Sequence, residues 1–367
     1  MIDNSSADDR QCSSAAPVRE WLRTALVKDA SDLHVVAGSC PLVRVHGELQ
    51  QLDTIRVDDA ALRNAFADLI TAEQFDHFVK HGNLDASLQF EIAGCLRRFR
   101  LNLFLSTSGA GGCFRVIPDR IPDFEWAGFP RDLGEQLAGF RNGLVLFSGV
   151  TGAGKTTSLA MVMELLNQRG GVRIITVEEP VEYLFSHREN SLVTQREVGD
   201  DVDSFADGLK FGLRQDPDVI LVGEIRDHET AQMTLSAAET GHLVFSTLHT
   251  RDAKGAITRL IDLFPQSAQE SVRSQLSMSL RAIISQHLVP GERPDRKREL
   301  VLEVMFNNTR MAAAIRMGKL STIDNTIMTG RAEGMISLDE SLRRLLHEQR
   351  ISRETAQRYC SPDVEFA

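Results

Sequence analysis

Two hydrophobic patterns divide this chain. Up to about residue 117, short apolar runs alternate with polar positions, as half-buried strands do; after Pro130 the apolar runs become continuous and alternate with helical segments. Val18, Trp21, Leu22, Ala25 and Leu26 recur at helical spacing, which makes Trp21 a core residue. Residues 32–36 read as a strand. Pro41 to Leu49 reads as a hairpin turning at Gly47, in which His46, like His34 before it, is a half-exposed strand residue rather than a ligand. A helical pair follows over 58–80, and strands return between Gly82 and Ile117, including 99–104 and 114–117. Together these predict a small α+β domain over 17–118. Residues 1–16, polar and rich in small side chains, read as a disordered tail, and Pro118, Pro122 and Pro130 mark 119–130 as a linker.

The second half predicts an α/β domain over 131–290, a parallel sheet covered by helices, with strands at 144–147, 173–177, 219–222 and 243–248. The helix between the last two is bounded by Asp227 at its N-cap and Gly241 at C′, and Ala231, Leu235 and Ala238 share a face. Ser267-Ala-Gln-Glu270 has the spacing of a capping box and predicts a long amphipathic helix through Val272, Leu276, Leu280, Ile283 and His287. Residues 291–298 read as a charged loop. A second capping box, Ser337-Leu-Asp-Glu340, precedes Leu342, Leu345 and Leu346, so 291–367 is expected to be a helical subdomain.

Length and composition narrow the picture. At 367 residues, 42% hydrophobic and 25% charged, the chain suits a globular protein of two or more domains. Its apolar runs are far shorter than the ~20 residues of a membrane-spanning helix, and the N-terminus has no apolar signal region. The cysteines Cys12, Cys40, Cys95, Cys113 and Cys360 form no C-x-x-C pair, which argues against a zinc cluster or a disulfide framework. A formal charge of −10 gives no hint of the basic stripe of a nucleic-acid binder, so no nucleic-acid partner is expected, and a nucleic-acid translocase is the outlying reading.

The candidate chemistry centres on Gly149, Val150, Thr151, Gly152, Ala153, Gly154, Lys155 and Thr156, followed by Thr157. This G-x-x-x-x-G-K-T run lies between an apolar strand and a helix, the setting in which backbone N–H groups cradle a polyphosphate. Lys155 is expected on the β and γ phosphates of ATP and the Thr156 hydroxyl on Mg2+. Hydrolysis also needs a group that orients water and an acid for the metal. The strand through 174–177 ends in Glu178 and Glu179, and Glu178 is the candidate base. Asp218 to Glu224 is a second apolar strand ending in a carboxylate, so Glu224 is the candidate magnesium residue, acting through water, with Arg226 two residues on. His242 and His249 stand at opposite ends of the 243–248 strand; His249 would face the γ-phosphate and His242 a neighbouring surface.

Four ordered segments carry a resemblance: the phosphate loop, Ile-Thr-Val-Glu-Glu-Pro-Val-Glu (175–182), Leu-Arg-Gln-Asp-Pro-Asp (213–218) and Ala-Ala-Glu-Thr-Gly-His-Leu-Val-Phe-Ser-Thr-Leu-His-Thr (237–250). The chain resembles the type II/IV secretion ATPase superfamily, and within it the pilus-retraction branch typified by PilT. The resemblance implies a PAS-like N-terminal domain, a RecA-like ATPase domain and a homohexameric motor. Such a motor works in the cytoplasm against an inner-membrane pilus platform protein, alongside other pilus motor ATPases, and powers retraction and twitching motility. It implies catalytic roles for Glu178, Glu224, His242 and His249. It also implies that arginines among Arg98, Arg100, Arg115, Arg214, Arg226 and Arg259 supply charge to the nucleotide. The longer N-terminal region and four-cysteine motif of the assembly and type II secretion relatives are absent. The C-terminal signature of the retraction branch is half kept, as Ala-Ile-Arg316-Met317, and the alternatives are a PilU-like accessory or regulatory ATPase, or a pilus assembly or type II secretion ATPase.

Overall fold

The computed structural model describes residues 12–13, 17–45, 47–92, 94–293, 298–361 and 364–366. They form two compact units, residues 1–119 and 120–367. His46 and most of the expected tail lie outside the described residues; within that tail β1 (Cys12–Ser13) pairs in parallel with β5 (Arg56–Val57).

In the first unit β2 (Ala30–Val36), β3 (Leu42–Val45), β4 (Glu48–Gln51), β6 (Asn83–Ile92), β7 (Cys95–Ser106) and β8 (Gly109–Ile117) make an antiparallel sheet in the order β4-β3-β2-β8-β7-β6. The helices α1 (Val18–Val27), α2 (Asp59–Ala67) and α3 (Ala72–His81) supply Leu22, Leu62, Phe66 and Phe78 to a core that includes Phe99 and Phe114 from the sheet. Trp21 is buried, and its indole N–H donates to Asp53 at 2.9 Å.

The second unit is built on a seven-stranded sheet: β9 (Gly143–Ser148), β10 (Val172–Glu178), β11 (Ser191–Glu197), β12 (Val219–Val222), β13 (Leu243–Leu248), β14 (Leu280–Pro290) and β15 (Arg298–Phe306). The order is β11-β10-β12-β13-β9-β14-β15, and every pair is parallel except β14–β15. The central strands β9, β12 and β13 are buried throughout, which explains their unbroken apolar runs. Helices cover both faces: α5 (Arg131–Leu137), α6 (Lys155–Arg169), α7 (Phe205–Gly212), α8 (His228–Glu239), α9 (Ala253–Asp262) and α10 (Gln269–Ser279). Asp227 caps α8 through the Thr230 N–H, as its sequence predicts. The expected linker instead packs into this unit, where α4 (Phe124–Ala127) and the residues after it bring Phe124 and Phe129 into the core.

Two expectations are corrected. Residues 267–270 do not form a capping box: Ala268 occupies the N-cap and makes no side-chain bond. The helix stops at Ser279, and Leu280, Ile283 and His287 lie on strand β14. Their spacing matches a helical face, but β14 is buried on both faces over residues 282–286, so its apolar residues are not confined to alternate positions and periodicity misleads. Likewise 291–367 is not purely helical, because β15 completes the sheet before α11 (Thr309–Arg316), α12 (Ile323–Thr329), α13 (Leu338–His347) and α14 (Arg353–Tyr359). Ser337 does cap α13, accepting from the Glu340 N–H, whereas the Glu340 carboxylate turns to Arg331.

Candidate functional site

In a parallel sheet the loops at the carboxyl ends of the strands share one edge, which is where ligands bind. Strand β9 ends at Ser148 and the chain enters the loop 149–154, which opens α6. Gly149, Gly152 and Gly154 have φ values of +150°, +79° and +88°. At Gly149 a side chain is also excluded by space, since a Cβ would stand 2.6 Å from the Gln286 carbonyl oxygen. Gly154 is the N-cap of α6, so the helix offers its first N–H groups and the positive end of its dipole to the loop. Lys155 is buried, and its ammonium donates to the Gly149 carbonyl at 2.7 Å and the Val150 carbonyl at 3.3 Å. Burial lowers its pKa, partly opposed by the charge of Glu182. The exposed Thr151 and the half-buried Thr156 flank it, and Thr157 bonds the Tyr183 hydroxyl at 3.0 Å.

The acidic ends of β10 and β12 lie at the same edge. Glu178 is buried, and its Oε1 accepts from the Thr176 hydroxyl at 2.6 Å and the Gln195 amide at 3.2 Å. The same Gln195 nitrogen donates to the Tyr183 carbonyl at 2.7 Å, so a chain of bonds runs from Thr157 on α6 to Glu178. Beyond β12, Glu224 pairs with Arg226 and lies 3.1 Å from His249 Nε2, while Arg226 also holds Glu179 at 2.6 Å. Partial burial, then the charges of Lys155 and Arg226, lower the His249 pKa, which favours the neutral imidazole although about half of the side chain is exposed. Lys155, Glu179, Glu224, Arg226 and His249 therefore form one electrostatic cluster.

Other sequence-predicted residues stand elsewhere. His242 precedes β13 and Arg214 precedes β12, both at the amino-terminal edge of the sheet. Six residues of β13 at ~3.3 Å each put His242 roughly 20 Å from His249, and its Nδ1 engages the Ala237 carbonyl at 3.0 Å. Within the chain neither residue can act with Glu178 on one phosphate. Arg259 is exposed in the last turn of α9. Arg98 and Arg100 are on β7 and Arg115 on β8 of the first unit; Arg100 and Arg115 are opposed across the ladder, and Arg115 pairs with Asp32 at 2.9 Å.

Sequence reasoning missed Gln195, Tyr183 and Thr176, which orient Glu178, and Glu182 beside Lys155. All but Gln195 lie within or next to the 175–182 motif, so their proximity to Glu178 was the available signal. The cradle fits a nucleoside polyphosphate. Among the described residues no cluster of three or more His, Cys, Asp or Glu is placed to hold a metal. Thr156 and Glu224 are the residues whose oxygens would suit an ion that keeps most of its waters, as Mg2+ does.

Comparison with known proteins gives the same picture. The chain is 38% identical over 339 residues to the type IV pilus retraction ATPase PilT of Pseudomonas aeruginosa, covering 92% of this chain and 96% of that protein. It is 36% identical over 336 residues to the type IV pilus ATPase PilU of the same organism, covering 91% and 86%. A crystal structure of the pilus retraction motor PilT with bound ADP superposes with a TM-score of 0.83 at 38% identity, over 94% of this chain and 96% of that one. The family model described as type II/IV secretion system protein matches residues 8–363. With phosphate loop, acidic strand ends and His249 gathered at one sheet edge, and with likeness along nearly its whole length, this chain belongs to the type II/IV secretion system protein family.

Proposed function

We propose that this chain is an ATP-hydrolysing motor of a type IV pilus system and that it powers pilus retraction. The observation that carries the reading is the convergence of Lys155, Glu224, Arg226 and His249 beside a glycine-bounded helix N-terminus. Similarity to PilT over nearly the full length of both chains supports the retraction role.

The loop N–H groups and Lys155 bind the phosphates of ATP, and the ammonium exchanges the loop carbonyls for phosphate oxygens. Thr156 and Glu224 would hold Mg2+, which when bound would supply positive charge against the developing negative charge on the phosphates. Glu178, its Oε1 fixed by Thr176 and Gln195, accepts a proton from water as the water oxygen attacks the γ-phosphorus. The bond to the β–γ bridging oxygen breaks, leaving ADP and phosphate. Neutral His249 donates a hydrogen bond, and Arg226 adds charge beside Glu224. Both Glu224 oxygens are engaged by Arg226 and His249, so service to the metal's water shell requires one of those bonds to exchange.

Homohexameric assembly, with arginines supplying charge to the nucleotide, belongs to the same reading. So does peripheral attachment to an inner-membrane platform. Among the described residues no helix is long and apolar enough to cross a membrane. The Pseudomonas PilU match, two points lower in identity than PilT, keeps an accessory motor as the second reading.

Glu178→Gln is expected to lower ATP turnover by about 10²–10³-fold, the lower part of the range for losing a general base, while leaving nucleotide affinity within a few-fold of wild type. Unchanged turnover would remove Glu178 from the mechanism. Deleting the gene separates the roles: accumulated, unretracted pili support retraction, and loss of pili supports assembly.

A further inference from the structure

Strand β14 runs between β9 and β15, beside the phosphate loop. Three successive residues on it reach three parts of the site. Ser285 lies directly across the ladder from Ser148, the last residue before Gly149, and accepts its hydroxyl at 2.8 Å. The Gln286 amide donates to the Ser158 hydroxyl on α6 at 2.8 Å. His287 Nε2 is 2.9 Å from the Arg251 carbonyl, in the loop between His249 and α9.

Glu303 completes the arrangement from β15. It is the ladder partner of Ser285, so Ser148, Ser285 and Glu303 form one row across three strands. Glu303 Oε1 accepts the Ala253 N–H, the first of α9, at 2.7 Å, and receives a longer contact of 3.4 Å from the Ser285 hydroxyl. Ala253 is four residues beyond His249. The row thus joins the strand that launches the phosphate loop to the helix that follows His249, and each donor points toward the carboxylate.

We propose that Glu303 is a positioning residue that, through Ser285 and Ser148, couples nucleotide seating in the phosphate loop to the placement of the His249 loop. The coupling rests on the ATP reading above. It deepens that reading by giving the γ-phosphate site a built connection to the segment 249–253, carried by bonds rather than by mere proximity. Burial pushes the Glu303 carboxyl up to about 7, reinforced by Asp252 and Asp324 and opposed by the Ala253 N–H and the Ser285 hydroxyl. Asp324 in turn lies 3.9 Å from Lys254. The bond to Ala253 is accordingly charge-assisted above neutral pH and weaker below it.

The test is amide hydrogen exchange of the full chain at pH 7.5, with and without a non-hydrolysable ATP analogue and Mg2+. The wild type should gain protection both at 149–157 and at 249–256. In Ser285→Ala and Glu303→Ala the analogue should still protect 149–157, while the response at 249–256 falls at least two-fold. ATP turnover should fall about ten-fold with analogue affinity within two-fold of wild type; a merely structural lesion would move both. A full response at 249–256 in Ser285→Ala, the milder variant, overturns the coupling even if Glu303→Ala fails to fold. Absence of protection at 149–157 in the wild type would instead sink the nucleotide reading, and the coupling with it.

Discussion

Two side chains of the second unit, His249 and Glu303, have pKa values moved in opposite directions by their surroundings. The neutral form of His249 is favoured by partial burial and by two cations, Lys155 and Arg226, which suits a hydrogen-bond donor rather than a charged partner of Glu224. Glu303 is the opposite case, a carboxyl held protonated toward neutrality, and its sign can be worked through. The unfolded chain releases this proton near 4.5, while the folded chain holds it to about 7. Between those values the folded state binds the extra proton, so stability falls as pH rises and levels off above 7. The span corresponds to about 3 kcal/mol. Urea midpoints of wild type and Glu303→Gln at pH 5 and pH 8 should therefore show the wild type gaining on the variant at pH 5. A gap that does not change with pH would mean that Glu303 titrates normally.

Elements decide how much of this was legible. The phosphate loop, Glu178, Glu224 and His249 could be read from sequence because each stands at the end of a short, continuous apolar strand, and that pattern fixes both the strand and its edge. Ser285, Gln286, His287 and Glu303 could not. Buried β14 mimics a helical face, and β15 was hidden inside a stretch read as loop and helix, so the supports beneath the loop went unseen. His242 is the converse: the sequence already set it a strand's length from His249, and β13 keeps them at opposite ends. The β14–β15 pair is also fastened at its far end by Glu299, fully buried between Arg293 at 2.9 Å and Arg350. Removing one partner of a buried ion pair leaves charge uncompensated. Because the arginines left behind are partly exposed and Arg350 keeps Glu348, Glu299→Ala should cost about 1–3 kcal/mol and loosen α13, seen as a lower thermal midpoint. A loss below ~1 kcal/mol would mark the pairs as exposed in solution.

At the scale of the whole chain, division into two units has a consequence that can be measured without any nucleotide. The first unit owns its core: Leu22, Leu33, Leu62, Phe66, Phe78, Phe99, Leu101, Leu103 and Phe114 all have essentially no exposed surface. Phe66 sits within 6.3 Å, centroid to centroid, of both Phe78 and Phe114, so the sheet and the two helices α2 and α3 meet at one ring. A domain of this length with a single continuous core is large enough to fold by itself. A fragment of residues 17–119 forgoes only the two-residue β1–β5 ladder among the described pairings of this unit. It should therefore melt cooperatively, with β-rich circular dichroism, and Phe66→Ala should lower its stability by about 3–5 kcal/mol. A fragment without a cooperative transition would show that this core depends on residues outside 17–119. The arginines Arg98, Arg100 and Arg115 ride on this same sheet, so a stable fragment would present them on a framework that owes nothing to the phosphate loop.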